Sequence, residues 1–484
     1  MFPQNSFARQ SLKTGGLYCG RDWFIQPESL SGPTRFSRLK TLQNKGTAVS
    51  ISHCKQNRST ALAHPLVLAL IVMTASAFKA SGQVTIDFWN PDTGEAVVKV
   101  LQQDIQGFEK EHSGVKVNLV NIPWSDIFTK WQTGIQSGNL PDAGIASAAF
   151  GASLNAQGAL EPMDDVIKEM GGESAFAPSA KSFVEMCKKN GSFFDLPYVH
   201  NCVVLWYKKD LLKKVGLPVP QTWDELLAAA KALTNDGVYG ILMTSSKSDV
   251  TQHTFYSLML SNGADIVDRE TGQKVLFDSP ATVETLRFYK ELAQYSPPGA
   301  GGYDRSEAQA AMTTGKIAMF IYGSWLSGAL TEAGPDVLAQ FGVAPVPHNK
   351  GKGSFMGNLT LVAFKAAKHK TEAKMFLEYL MKNENYVRYL LTDPSSYGPV
   401  TEGAIKDPMY DNSPQVKDAR DVIDAVKAQL PNAWVYGMPN PHAGELEGLN
   451  VIADVVGRVV LENVSPDQAA KDGAAKIQEI ITKK

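Results

Sequence analysis

Strand-like and helix-like segments alternate along this chain, and that rhythm constrains its fold more than any other feature. Val84-Thr85-Ile86-Asp87-Phe88-Trp89 alternates in the period-two manner of a strand. Glu95 to Glu111 then places Val97, Val100, Leu101, Ile105 and Phe108 on one helical face. A second strand, Val115 to Val120, and a second helix, Ser125 to Gln136, follow. The rhythm recurs with a strand at Val203–Tyr207 and a helix at Trp223–Leu233, capped by Thr222 with Glu225 at the third helical position. A strand at Tyr239–Met243 and a helix opened by Pro280 through Leu292 come next. Such alternation predicts an α/β fold with mainly parallel sheets flanked by helices. From Ala453 to Ile481 the pattern is helical with little β character.

The rhythm begins only after an unusual leader. His64 to Gln83 carries an apolar core too short to span a bilayer comfortably. Lys55 and Arg58 precede it, and small residues (Ala75, Ala77, Ala80, Gly82) follow it. That is the layout of a secretory signal. Residues 1–82 are therefore read as an N-terminal extension plus signal peptide outside the fold. The basic, Ser-rich stretch before the apolar run has the composition of an organelle transit peptide. It equally fits a start placed upstream of the true one, which is the favoured reading.

Removing the leader changes the charge. The chain holds 47 Lys/Arg and 49 Asp/Glu, and residues 1–82 hold ten and two of these, so the remaining 402 residues carry a net charge of −10. An acidic body argues against nucleic acid or an anionic membrane as partner. A chain of this length normally forms two domains. Only Cys187 and Cys202 lie in the body. In an oxidising compartment they either form a disulfide or remain two separate buried thiols.

No catalytic signature is legible. The chain lacks His-Glu-x-x-His, Gly-x-Ser-x-Gly, Cys-x-x-Cys and a P-loop, and its eight His are scattered, so neither metal nor cofactor is expected. Aromatic and amide residues instead gather at strand ends and in loops: Trp89-Asn90-Pro91-Asp92, Tyr198-Val199-His200-Asn201, Tyr322-Gly323-Ser324-Trp325, and Trp434 with Tyr436. Flat aromatic faces suit sugar rings, and Asn, Asp and His suit their hydroxyls. Packing is the competing account for each aromatic. Trp223, Trp206 and Tyr207 are read as core.

Motifs in a fixed order then carry a resemblance. Ser137-Gly138-Asn139-Leu140-Pro141-Asp142, Leu196-Pro197-Tyr198, Leu205-Trp206-Tyr207-Lys208-Lys209-Asp210-Leu211, Pro220-Gln221-Thr222-Trp223-Asp224-Glu225-Leu226, the stretch from Thr314 to Trp325, and Ala373 to Leu380 together resemble family 1 of the extracellular solute-binding proteins of bacterial ABC importers. This is the group that includes maltose-binding protein. The similarity runs from about Val84 to Ile481.

The resemblance implies a type II periplasmic-binding-protein fold with discontinuous lobes. Residues 83–198 with 358–400 would form one lobe, and 199–357 with the helical 401–484 the other. It implies a monomeric, non-catalytic periplasmic receptor that closes on a disaccharide, oligosaccharide or polyol and docks on an ABC permease. The implied ligand contacts are Trp89, Asn90, Asp92, Ser147, Phe150, His200, Asn201, His253, Trp325, Gly357, Asn358, Tyr397 and Trp434. Gly357 and Asn358 would mark the second crossing between lobes, and Tyr397-Gly398-Pro399 the third. Glu445 joins the set as a cleft carboxylate. Two alternatives stay open: a polyamine or glycerol-phosphate receptor on the same scaffold, and a secreted glycosidase using Asp92 and Glu445, whose carboxylates would have to lie about 5–10 Å apart.

Overall fold

A computed structural model describes residues 83–437 and 440–482; the leader, with its signal-like run, lies outside the described residues. Two sheets organise the chain. The first has six strands, in the order Gly398–Pro399, Leu196–His200, Leu359–Ala363, Ala143–Ser147, Val84–Asn90 and Val115–Asn121. The second has three, with Val203–Lys208 between Met319–Gly323 and Phe341–Ala344.

The opening segments form where the apolar pattern places them. Val84–Asn90 pairs in parallel with Val115–Asn121 and with Ala143–Ser147. The intervening helix, Glu95–Glu111, buries Val97, Leu101, Ile105 and Phe108. Thr222 accepts the Glu225 amide and Glu225 reaches back to the Thr222 amide, a reciprocal cap for the helix Trp223–Leu233 that contributes about 1 kcal/mol. In the two main sheets, parallel pairing is confined to Val84–Asn90, Val115–Asn121 and Ala143–Ser147. Leu359–Ala363 runs antiparallel between Ala143–Ser147 and Leu196–His200, and both pairings of the second sheet are antiparallel. The first sheet is thus mixed and the second antiparallel, because late segments of the chain insert beside early ones.

One other expectation is corrected. Tyr239–Met243 is not a strand; it makes isolated bridges from Tyr239 to Ile317 and from Leu242 to Phe320. Gly240 lies against the Ala230 backbone, and the Met243 amide donates to Ser296 Oγ at 2.9 Å, so no ladder continues. The C-terminal stretch is helical as expected and consists of two helices, Val451–Val460 and Pro466–Ile481. Asn463 takes φ +58° between them and Ser465 caps the second helix.

Two apolar cores result. Ile86, Phe88, Phe108, Leu361 and Phe376 belong to the first, where Phe88 meets Phe376 edge-on at 5.3 Å. Trp206, Leu226, Phe255 and Phe320 belong to the second. Trp223 is core as expected, stacked on Phe288 at 4.1 Å, and Trp206 is fully buried; Tyr207 is only partly buried. Each full side-chain burial of this kind stabilises by roughly 1.5–3 kcal/mol. The second core also takes in Trp131, Phe150 and Leu154 from beside the first sheet, joined through Ala443 and Leu446. Of the two alternatives for the cysteines, the separate thiols hold. Cys187 is buried in the first core, whereas Cys202 is buried in the second, and both are free.

The chain passes between the sheets at points that touch. Only Asn201 and Cys202 separate Leu196–His200 of the first sheet from Val203–Lys208 of the second. The return passage at Gly357–Asn358 lies beside them. The Asn201 amide donates to Asn358 Oδ1 at 3.1 Å, and the Gly357 amide to Asn201 O at 3.2 Å. The third passage comes later than Tyr397-Gly398-Pro399. Gly398–Pro399 is an edge strand of the first sheet, and Ala404, Tyr410, Val416 and Ala419 still pack in the first core. The helix Arg420–Gln429 then makes the transition, with Ile423 in the first core and Val422 and Val426 in the second.

Candidate functional site

Trp325 is the centre of the candidate site. The strand Met319–Gly323 ends in the turn Gly323-Ser324-Trp325, which leads into the helix Leu326–Glu332. The indole stands edge-on to Tyr322 at 5.5 Å and to His253 at 5.8 Å. Gly357 lets the crossing strand approach it: a Cβ there would lie 2.5 Å from Asn201 Oδ1 and 2.8 Å from the indole Cζ3. His253 belongs to the helix Asp249–Ser261, buried along nearly its whole length, and its ring stacks on Phe355 at 3.9 Å.

The polar atoms of this cluster are unpaired. Asn201 Oδ1, both ring nitrogens of His253, Tyr322 OH, Ser324 Oγ and Trp325 Nε1 are buried without a hydrogen-bond partner in the protein. Each such atom costs about 1–3 kcal/mol when unsatisfied. Several lie in one place, where water or a bound molecule would have to supply their partners.

Glu447 closes one side. Its helix, Ala443–Gly448, lies on the helix Ala148–Ala156, where Gly444 is so close that a Cβ would sit 2.8 Å from Ser153 Oγ. The Gly444 amide donates to Ser153 Oγ at 2.9 Å, and Ser153 Oγ donates to Pro441 O at 2.7 Å. Ser147 accepts the Phe150 amide as a helix cap, and its hydroxyl donates to Glu447 Oε2 at 3.2 Å. Glu447 Oε1 stands 3.7 Å from His253 Nε2.

A charged group borders the cluster. Asp92 accepts from the Tyr397 hydroxyl, and Arg305 pairs with Asp249. Burial pushes the Asp92 carboxyl up, against the pull of Tyr397, the Gly94 amide and Arg305. Burial also acts to raise Asp249, but Arg305 and His253 outweigh it and hold that carboxyl below its usual range. Burial pushes the Tyr322 phenol up to about 12, with Arg305 opposing.

The expected contacts divide accordingly. Asn201, His253, Trp325 and Gly357 come together, and Ser147 joins them through Glu447. Asp92 and Tyr397 pair with each other. Asn358 braces the crossing. Asn90 is fully buried, its side-chain amide donating to Asp92 O at 2.6 Å and Asn121 Oδ1 at 3.0 Å. Trp89 is buried in the core with Lys130 over its ring at 5.6 Å. Phe150 packs between Phe128 and Trp131 at 5.4 and 5.5 Å. His200 is buried against Gly398, and burial, reinforced by Lys427, depresses its pKa to about 4. Trp434 lies under the Arg269 guanidinium at 4.0 Å. Glu445 faces His442, the residue before its own helix, at 3.3 Å.

Glu447, Asp249 and Arg305 were not legible in the sequence. Glu447 lies two positions from Glu445 on a short helix, and only the fold distinguishes their directions. Asp249 and Arg305 lie 56 residues apart with no motif linking them. Among the described residues no cluster of His, Cys, Asp and Glu could hold a metal ion.

Comparison with known proteins agrees with this architecture. A model of the bacterial extracellular solute-binding proteins matches residues 90–387. A protein of Escherichia coli (strain K12), provisionally named an ABC transporter periplasmic-binding protein, is 24% identical over 406 residues, covering 82% of this chain and 93% of its own. The sn-glycerol-3-phosphate-binding periplasmic protein of Rhizobium meliloti (strain 1021) is 25% identical over 348 residues, 68% of this chain and 78% of its own. A solved ABC transporter solute-binding protein from Thermotoga lettingae TMO, bound with α-D-tagatose, superposes with a TM-score of 0.70 at 25% identity, covering 82% of this chain and all of that one. The shared architecture is the two-lobed fold of periplasmic binding proteins. Members of the matched family are binding proteins rather than enzymes. With its matched span covering more than half of its length and its fold in common, this chain belongs to the bacterial extracellular solute-binding protein family.

Proposed function

We propose that this protein is an exported receptor that captures a sugar between its two lobes and delivers it to the permease of an ABC importer. The observation that carries the reading is the group of unpaired buried polar atoms around the Trp325 indole. An aromatic face with orphaned donors and acceptors at its edge matches a ring that is apolar on its faces and hydroxylated on its rim. The ligand contacts are Asn201, His253, Tyr322, Trp325 and Glu447, with Asp92, Ser147 and Tyr397 at the border. In this reading one lobe comprises 83–198 with 358–400 and the other 199–357 with the C-terminal segment, with 401–419 assigned to the first lobe because Ala404, Tyr410, Val416 and Ala419 pack in its core. The protein works as a monomer in the periplasm after removal of the leader and catalyses no reaction. Asp92 and Glu445, the carboxylates the glycosidase alternative needs, are engaged by Tyr397 and His442, which favours the receptor reading.

A thermal-shift screen against neutral sugars and polyols tests this, because a ligand that binds the native state raises the midpoint. Trp325→Ala should abolish the shift of the best ligand while the unliganded protein still melts cooperatively. An unaltered shift removes Trp325 from the site.

A further inference from the structure

Charge around the Trp325 cluster is one-sided. Three carboxylates border it: Asp92, Asp249 and Glu447. Arg305 faces them but is already engaged, pairing with Asp249 and lying within electrostatic reach of Asp92. Neighbouring bases are occupied elsewhere. Arg269 is 2.7 Å from Asp265 and covers Trp434, and Lys130 lies over Trp89.

Glu447 has no such strong partner. Its side chain is only 12% exposed, and Ser147 Oγ satisfies Oε2. Oε1 stands 3.7 Å from His253 Nε2, beyond hydrogen-bond length. Both nitrogens of that imidazole lack partners, as does the indole N–H beyond it. A ligand group entering here meets a desolvated carboxylate. A hydroxyl or an ammonium donates to it. A phosphate brings a like charge into a poorly solvated place, where the charge of the adjacent Arg305 is already offset by Asp249.

We propose that Glu447 selects the ligand by charge, admitting neutral and amino-substituted sugars and rejecting sugar phosphates. The inference rests on the sugar-receptor reading above and narrows it. It also separates this chain from the glycerol-phosphate-binding relative.

The test is a binding titration on the purified protein, following a thermal-shift screen. Probes come in matched sets: glucose, glucosamine and glucose 6-phosphate; glycerol and glycerol 3-phosphate; with maltose, lactose and ribitol as larger neutral ligands. The expected result is a shift with neutral or amino members and at least tenfold weaker binding of the phosphorylated counterpart. Glu447→Gln, which keeps an acceptor for Ser147, should narrow that gap about tenfold (~1.4 kcal/mol). A phosphorylated probe binding as tightly as its neutral counterpart overturns the proposal, as does a gap unchanged in Glu447→Gln. Should that variant melt non-cooperatively, the wild-type comparison still decides the charge preference. A panel in which nothing shifts sinks the sugar reading itself, a result distinct from a phosphate preference.

Discussion

Ser147 and Glu447 meet at 3.2 Å although 300 residues separate them in the chain. The hydroxyl that caps the helix Ala148–Ala156 also donates to the carboxylate that faces His253. One small side chain therefore links a helix start beside the first sheet to the carboxylate that faces the His253–Trp325 cluster.

Ser147→Ala removes both the cap and that donor. The expected cost is about 1 kcal/mol of stability, read from the urea midpoint, together with weaker ligand binding from a less firmly held Glu447. A variant with unchanged affinity would show that Glu447 does not depend on Ser147.

Gly357 permits the close approach of crossing strand and indole. In Gly357→Ala the new methyl contacts Asn201 Oδ1 and Trp325 at 2.5 and 2.8 Å, so one of them must move. Ligand affinity should fall at least about tenfold (~1.4 kcal/mol), with a changed tryptophan emission in the unliganded protein. Emission and affinity identical to wild type would contradict the geometry.

Asp195 is buried, and burial raises its pKa to about 7 against the lowering influence of Cys187 and Thr360. A carboxyl raised in the folded state contributes stability that is complete below its unfolded value of about 4. That contribution is lost as pH rises through 7. The wild-type urea midpoint should therefore fall from pH 5 to pH 8, and Asp195→Asn should flatten that fall. His200 runs the other way. Its depressed pKa makes its contribution complete above about 6.5 and lost as pH falls through 4.

Cys187 and Cys202 are buried free thiols in different cores. Neither should react with a thiol reagent in the native protein, and both should react after denaturation. Reductant should leave the melting midpoint unchanged. A midpoint that falls with reductant would require a bond between them.

Local pattern made much of the architecture readable. The helices Glu95–Glu111, Trp223–Leu233 and Pro280–Leu292 begin and end where periodicity and capping residues place them. Where pattern failed, the deciding interaction was distant. Tyr239–Met243 has strand composition but lies where Gly240 meets a helix backbone and Ser296 takes an amide.

The sequence by itself determined the α/β class, several of the helices and strands, and the family, because periodicity, caps and ordered motifs are properties of neighbouring residues. It also singled out Trp325, Asn201 and His253. Only the tertiary structure decided that Leu359–Ala363 inserts antiparallel into the first sheet, that Trp89 and Phe150 are packed away, and that Glu447 rather than Glu445 faces the cluster. Strand order and side-chain direction depend on which distant surfaces bury each other. That is settled by the sum of the packing and by no local window of residues.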